Sequence, residues 1–287
     1  MLVYVYYLST GYIKMQFFKS PAKINLFLRI VRQEPNGYHY LQTLFQFISL
    51  QDEIGFELRN DDKIIADYHN EFITEENDLI VKAIRLLQKE SGITTGLNIT
   101  LNKHIPMGAG LGGGSSNAAT TLMAINELYQ LDYSSEKLQA LGRTLGADVP
   151  IFIYGQSAWA EGIGDLFIPM QPKEKAYGLI IPNISISTQK VFQYPALSRT
   201  NPILEKTNHP DYLNDCTSAI YALYPKMQGY MTALTDLGLS PKITGTGSCI
   251  YIDEPTIEQQ VPLDQFLQVE NLQYRTFNTL NRSPYHG

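Results

Sequence analysis

The alternation of apolar and polar positions changes period several times along the chain, and each change marks an element. Ile24, Leu26, Leu28 and Ile30 recur at every second residue, which predicts a strand over 20–30 with Lys23 and Asn25 together on its other face. Taken alone, that second face reads as the solvated side of an edge strand. Pro35-Asn36-Gly37-Tyr38-His39 supplies a turn, and alternation resumes through Thr43, Phe45 and Phe47. Glu75-Glu76-Asn77-Asp78 caps a helical period in Leu79, Ala83, Leu86 and Leu87, with Lys82, Arg85 and Lys89 outside and Gly92 as its stop. Leu97 to Leu101 alternates like a half-buried strand, whereas Ala118, Leu122, Ile125 and Tyr129 return to helical spacing. Leu138, Leu141 and Leu145 repeat that spacing after Ser134-Ser135-Glu136 and give out at Gly146, and Gly146 to Pro150 leads into a predicted strand over Ile151 to Tyr154.

The character of the chain changes at Gly155, and a domain boundary is expected near Gly155 and Gln156. Ser157 to Asp165 reads as a glycine-broken strand pair, Tyr177 to Ile181 as a buried strand, and Thr188 to Phe192 as a short helix. A proline-bearing loop over 198–210 is followed by helices through Ser218-Ala219-Ile220 and around Met227 to Leu237. Pro241 to Tyr251 is strand-like but interrupted by Gly245-Thr246-Gly247, the mark of a bulge or a close ligand approach. Met1 to Lys14 lacks the basic start and long apolar middle of a signal peptide. Met15 directly precedes the patterned sequence, so it is expected to be the natural start, with 1–14 an extension outside the core fold; the alternative is an extra edge strand.

The stretch with most chemical content is Ile105 to Ala119, where Gly108, Gly110, Gly112, Gly113 and Gly114 stand between a predicted strand and a predicted helix. Glycine lets a backbone turn tightly and approach a ligand, and a helix start presents unpartnered N–H groups and partial positive charge, so strand, glycine loop and helix make a seat for phosphate. Ser115 and Ser116 are candidates for the N-cap and for contact with a phosphate or its metal ion. The loop fits the G-x-G-x-x-G pattern from Gly108 literally, but Asp132, at the distance of a ribose-binding acid, follows a helix rather than a second strand. The Walker pattern also fails, because Gly114 stands where its lysine belongs.

Composition narrows the partners. At 287 residues the chain is one large domain or two ordinary ones, and its net charge of -6 argues against nucleic acid without excluding nucleotides. The only cysteines, Cys216 and Cys249, make neither a disulfide framework nor a zinc site, and no apolar run is long enough to span a bilayer. A soluble cytoplasmic protein without a membrane partner is the expectation. Asp148, between a helix end and an X-Pro step, is chemically interesting only if something basic faces it. Tyr38 offers a flat face for stacking, and His39 alone reads as a turn residue.

Pro21 to Leu26, Gly37-Tyr38-His39, Leu111 to Ala119, Gly146 to Pro150 and Thr244 to Ser248 together resemble the GHMP small-molecule kinase superfamily, in order and at compatible spacing from about Phe17 to about Tyr251. The resemblance implies a two-domain α+β fold with the active site in the cleft between an ATP-binding amino-terminal domain, residues 15–155, and a carboxy-terminal domain, residues 156–287. It implies ATP as co-substrate with Mg²⁺. On the branch these motifs look most like, it implies phosphorylation of the 2-hydroxyl of a cytidine-diphosphate-linked methylerythritol for non-mevalonate isoprenoid supply. Carried over, Asp148 is the base toward the hydroxyl and Lys23 its support. Pro106, Met107, Gly108, Ala109, Gly110, Leu111, Gly112, Gly113, Gly114, Ser115 and Ser116 hold ATP. Asn25, Tyr38, His39, Thr188, Phe192, Gly245, Thr246 and Gly247 hold the acceptor, with Tyr38 and Phe192 sandwiching cytosine and His39 and Thr188 bonding it. The metal ligands stay open beyond Ser115 or Ser116. Asp78 stands where the family commonly has asparagine, and Thr217 where it often has glutamate. The alternatives are another GHMP kinase acting on mevalonate, homoserine or a sugar, and a nucleotide-binding module without catalysis. The Tyr38-His39 element argues against the first, and the joint presence of Lys23 and Asp148 against the second.

Overall fold

The computed structural model describes residues 14–68 and 73–286, so the expected extension lies, except for Lys14, outside the described residues. The chain runs β1 (Gln16–Gln33), β2 (His39–Leu58), β3 (Ile64–Ala66), α1 (Leu79–Ser91), β4 (Leu97–Asn102), α2 (Gly113–Leu128), α3 (Ser135–Leu145) and α4 (Val149–Tyr154). It continues through β5 (Ala158–Glu161), β6 (Leu166–Pro169), β7 (Ala176–Ile181), α5 (Thr188–Phe192), β8 (Leu213–Asn214), α6 (Thr217–Leu223) and α7 (Pro225–Asp236). Then come β9 (Lys242–Ile243), β10 (Ile250–Asp253), α8 (Ile257–Val269) and β11 (Gln273–Leu280).

Strand β2 is the hub of an α+β architecture. Along one edge it pairs antiparallel with β1; along the other, successive stretches take β5 at Thr43 to Phe45, β11 at Phe47 and Ile48, and β4 from Glu53 to Leu58. The sheet then passes through β11 to β7, β10 and β9. Register shifts interrupt β1 between Pro21 and Lys23 and between Asn25 and Phe27. These bulges re-aim side chains. Ile24 joins a cluster with Ile48, Leu111 and Tyr251, whereas Leu28 and Ile30 pack with Ile180, Val191 and Ile220. Both faces of β1 are therefore covered. Lys23 and Asn25 are 3% and 5% exposed, which overturns the solvated-edge reading of that segment.

Helix α1 follows its pattern. The Asp78 carboxylate accepts from the Ile80 N–H at 2.8 Å, Gly92 ends the helix in a left-handed turn at φ 76°, and Lys82, Arg85 and Lys89 are exposed. Ser134, in the run that precedes the second helical pattern, caps α3. Ile151 to Tyr154, predicted as a strand, belongs to the helix α4 instead. Val149, Pro150, Ile151, Phe152 and Ile153 are all buried, so no polar position reports a period, and Pro150 falls in the first turn, where its missing N–H is harmless.

Two large cores result. Ile80, Ile84 and Leu87 of α1 and Leu122 and Ile125 of α2 cover Ile54, Phe56 and Ile99, while Ile220, Met227, Leu234 and Leu263 cover Ile180, Ile250 and Ile252. A seam of Ala22, Ile24, Ile105, Ala109, Tyr177 and Tyr251 joins them beneath the glycine loop. Strand pairing does not break at the expected boundary between 155 and 156. β5 and β6 remain on the β2 side of the sheet, and the chain end returns there, with Ser283 N–H donating to the Gly155 carbonyl at 3.0 Å and Tyr285 stacked on Phe18. A boundary at 155 separates β5 and β6 from the sheet they complete.

Leu87, fully buried, and Lys82, exposed, test the placement of α1. Leu87→Ala is expected to lower unfolding free energy by roughly 2–5 kcal/mol in urea titration, and Lys82→Ala to change it by less than about 0.5 kcal/mol.

Candidate active site

A cleft of about 580 Å³ opens between the two cores. Its floor is built around Lys23. The buried ammonium donates to Asn25 Oδ1 at 2.7 Å and to the Gly110 carbonyl at 3.3 Å, and it pairs with Asp148 Oδ2 at 3.3 Å. Asn25 is held in turn, its Nδ2 donating to Thr43 Oγ1 at 2.8 Å and its N–H to Thr244 Oγ1 at 3.0 Å. Asp148 occupies the N-cap position of α4, yet its carboxylate makes no capping bond. It turns instead to Lys23 and remains 38% exposed, so one partner of the ion pair is buried and the other faces the cleft.

The glycine loop forms the adjoining wall. Gly112, at φ 71°, is the N-cap of α2, and the Ser116 N–H closes the first helical bond onto its carbonyl at 2.8 Å. The N–H groups of Gly113, Gly114 and Ser115 thus have no helical partner and form an anion seat. Side chains are excluded here for definite reasons. A Cβ on Gly112 would lie 2.8 Å from Phe152 Cζ and 3.1 Å from Lys23 Cε, and one on Gly110 would lie 2.2 Å from the Thr244 carbonyl oxygen. Ser116 is not an N-cap and does not line the cleft; it is fully buried with its hydroxyl 2.9 Å from Ser20 Oγ. That removes Ser116 from the expected phosphate and metal contacts, whereas Ser115 stays on the lining.

A second buried charge braces the loop from behind. Asp52 Oδ1 accepts from the His104 and Ile105 N–H groups at 2.7 and 2.8 Å, and Oδ2 from Lys103 Nζ at 2.5 Å and Asn117 Nδ2 at 2.9 Å. Lys103 lines the cleft beside Gly113, and burial lowers its pKa from the ordinary lysine range despite Asp52. Neither residue is singled out by the sequence reading. The acid pair Asp52-Glu53 inside β2 and a lysine just past the end of β4 were the available signals.

The family model for the GHMP kinases N terminal domain matches residues 78–156, which carry the glycine loop and Asp148. A curated 4-diphosphocytidyl-2-C-methyl-D-erythritol kinase of Pseudomonas savastanoi pv. phaseolicola is 44% identical over 234 residues, covering 81% of this chain and 81% of the relative. One of Pasteurella multocida is 41% identical over 278 residues, covering 94% of this chain and 92% of the relative. The chain belongs to the 4-diphosphocytidyl-2-C-methyl-D-erythritol kinase family. A crystal structure of 4-(cytidine 5'-diphospho)-2C-methyl-D-erythritol kinase superposes with a TM-score of 0.76 at 29% identity, over 92% of this chain and 99% of that one.

In this kinase the cleft brings together Lys23, Asn25 and Asp148 with Pro106 through Ser115, and with Thr188, Phe192 and Gly245 to Gly247, of which Gly245 packs against Asn25 and Gly110. Thr188 Oγ1 lies 2.8 Å from Thr246 Oγ1, which ties α5 to the second glycine loop. Asp78 lines the opposite end as the cap of α1, bonded by the Tyr68 hydroxyl at 2.6 Å. Tyr38 and His39 do not line the cleft. Tyr38 is 56% exposed, while His39 is buried with its ring 5.1 Å from that of Phe192, which does line the cleft.

Gly112→Ala tests the loop. The left-handed φ and the Phe152 contact are expected to lower stability by about 1–3 kcal/mol in denaturant unfolding. A change below about 0.5 kcal/mol would contradict the geometry.

Proposed function

We propose that the cleft transfers the γ-phosphoryl group of ATP to the 2-hydroxyl of 4-diphosphocytidyl-2-C-methyl-D-erythritol, with Asp148 as base and Lys23 as its support. The observation that carries this reading is the 3.3 Å Lys23–Asp148 pair on the same cleft as the open N-terminus of α2. Phosphoryl transfer asks little covalent chemistry of a protein; it needs an in-line hydroxyl, a proton acceptor within reach and positive charge at the phosphates. The Asp148 carboxylate faces the cleft free of capping duty. Lys23, itself held by Asn25 and the Gly110 carbonyl, pairs with that carboxylate at 3.3 Å and fixes its direction. The unpartnered N–H groups of Gly113, Gly114 and Ser115, with Lys103 beside them, supply donors and charge to the ATP phosphates.

The acceptor half is proposed to lie beside Asn25. Asn25 stands next to the reacting end, and Thr188, Phe192 and Gly245 to Gly247 take the diphosphocytidyl part. His39, whose ring lies 5.1 Å from that of Phe192, and its neighbour Tyr38 are proposed to complete the base site from outside the cleft lining. Among the described residues no cluster of three or more histidine, cysteine or acidic side chains is placed to hold a metal ion. The donor set fits a Mg²⁺ that ATP brings, held largely by phosphate oxygens and water with the Ser115 hydroxyl at hand, and its chemistry is to neutralise phosphate charge. The halves on either side of the cleft are proposed to be the ATP-binding and acceptor-binding domains. No helix among the described residues is long and apolar enough to cross a membrane, and the free buried Cys216 and Cys249 suit the reducing cytoplasm we propose as its compartment.

Coupled ADP-release assays with ATP, Mg²⁺ and either the diphosphocytidyl methylerythritol, mevalonate or homoserine test the acceptor. Turnover is expected on the first alone, and its absence there would defeat the reading. Asp148→Asn is expected to lower kcat about 10²–10⁴-fold while the Kd for ATP changes less than about 3-fold. A wild-type kcat in that variant would remove Asp148 from the chemistry.

A further inference from the structure

Arg199 lies in the loop after α5, outside the glycine and Gly37-Tyr38-His39 motifs, yet each of its three side-chain nitrogens donates a hydrogen bond. Nη2 donates to the carbonyls of Phe192 at 2.8 Å and Tyr194 at 3.0 Å, and Nη1 to that of Leu197 at 3.0 Å. These bonds fix the end of α5, and with it Phe192. The remaining donor leaves the loop altogether: Nε–H reaches His39 Nε2, at the first residue of β2, at 3.1 Å.

That contact decides where the histidine proton sits. A guanidinium is always protonated and has only N–H donors, so the His39 Nε2 facing it must present a lone pair. The ring is then neutral, with its single proton on Nδ1. Burial, and secondly the Arg199 charge, lower the His39 pKa from the usual histidine range, in agreement with a neutral ring. Among the described residues no protein group bonds Nδ1, and that nitrogen is not sealed from solvent. The same ring lies 5.1 Å from that of Phe192, tilted by 38°, and Phe192 lines the cleft. His39 therefore offers one fixed donor next to an aromatic face that borders the substrate cleft.

We propose that Arg199 is a positioning residue that locks His39 as an Nδ1–H donor and thereby makes the acceptor site select cytosine over uracil. The inference rests on the reading that the acceptor carries a cytidine diphosphate whose base lies by Phe192 and His39. The two pyrimidines differ in what a donor meets at N3. Cytosine N3 carries a lone pair and accepts the Nδ1–H; uracil N3 carries a hydrogen and opposes donor to donor. A histidine free to change tautomer would accept from uracil as readily as it donates to cytosine. The arginine removes that freedom, and its bonds to Phe192, Tyr194 and Leu197 set the stacking residue and the donor in one step.

The tautomer is read directly by nitrogen NMR of histidine-labelled wild-type protein without substrate, with the His39 signals assigned by their loss in His39→Asn. A protonated Nδ1 and a bare Nε2 are expected, and a proton on Nε2 overturns the proposal. Selection is read from kcat/KM for cytidine- and uridine-diphosphate-linked methylerythritol in wild type and Arg199→Met. The wild type is expected to prefer the cytidine compound by about 100-fold or more, and Arg199→Met to narrow that ratio by about 10-fold or more. A merely structural role for Arg199 would lower both values in proportion; an unchanged ratio overturns the proposal. Equal wild-type turnover of the two compounds would overturn it alone, leaving the kinase reading intact. Turnover of neither would bring down the acceptor assignment and this inference with it.

Discussion

A buried lysine is the constraint on which the site depends. Lys23 is 3% exposed, and an ammonium removed from water is stable only where an opposite charge and hydrogen-bond acceptors surround it. Its acceptors come from β1, from the glycine loop and from the residue that opens α4. Each is placed by something else: Asn25 by Thr43 and Thr244, the Gly110 carbonyl by close packing against the Thr244 backbone, Asp148 by the end of α3 and the start of α4. Thr244 belongs to the carboxy-terminal half. The charge on Lys23 is therefore satisfied by a constellation that assembles when both halves are in place, and that constellation faces the cleft.

Asp52 does the same for the other side of the loop. Fully buried, it draws in the backbone of His104 and Ile105, the Lys103 ammonium and the Asn117 amide, so that β2, the end of β4 and α2 meet at one carboxylate. The loop between these two ion pairs has little room to move, and glycine is the residue that fits. A Cβ on Gly113 would come within 2.9 Å of Ile105 and 3.1 Å of Lys103 Nζ, as one on Gly112 would meet Phe152 and Lys23. The open N–H groups of α2 are thus aimed by buried electrostatics on both flanks, which is the preorganisation a phosphate site requires.

Much of this was legible in the chain because local chemistry and the fold agree. The α1 cap at Asp78, the α3 cap at Ser134 and the strand–loop–helix run from Leu97 to Leu128 follow from neighbours in sequence. What failed depends on distant partners. Ser116 looks like a cap, but Gly112 takes that position and Ser20, far away in sequence, takes the hydroxyl. Val149–Tyr154 has no polar face to reveal its period because every side of α4 is covered. The bulges of β1 are invisible to a strict two-residue alternation, so its buried second face was missed. Asp52, Lys103 and Arg199 carry no motif; their roles exist only through carbonyls and carboxylates that the fold brings to them. α8 and β11 lie beyond the last stretch with a readable pattern, although the Thr256 and Gln259 capping box at the start of α8 was a usable signal.

The central claim is that Lys23 and Asp148 act as one unit on the acceptor hydroxyl. A double-mutant cycle with Lys23→Ala and Asp148→Asn, read as single-turnover phosphoryl transfer at saturating ATP and acceptor, tests it most directly. Residues that work as a unit lose their function together, so the double variant is expected to be no more than about 3-fold slower than the slower single variant. Losses that multiply across the cycle would show two independent contributions and contradict the account.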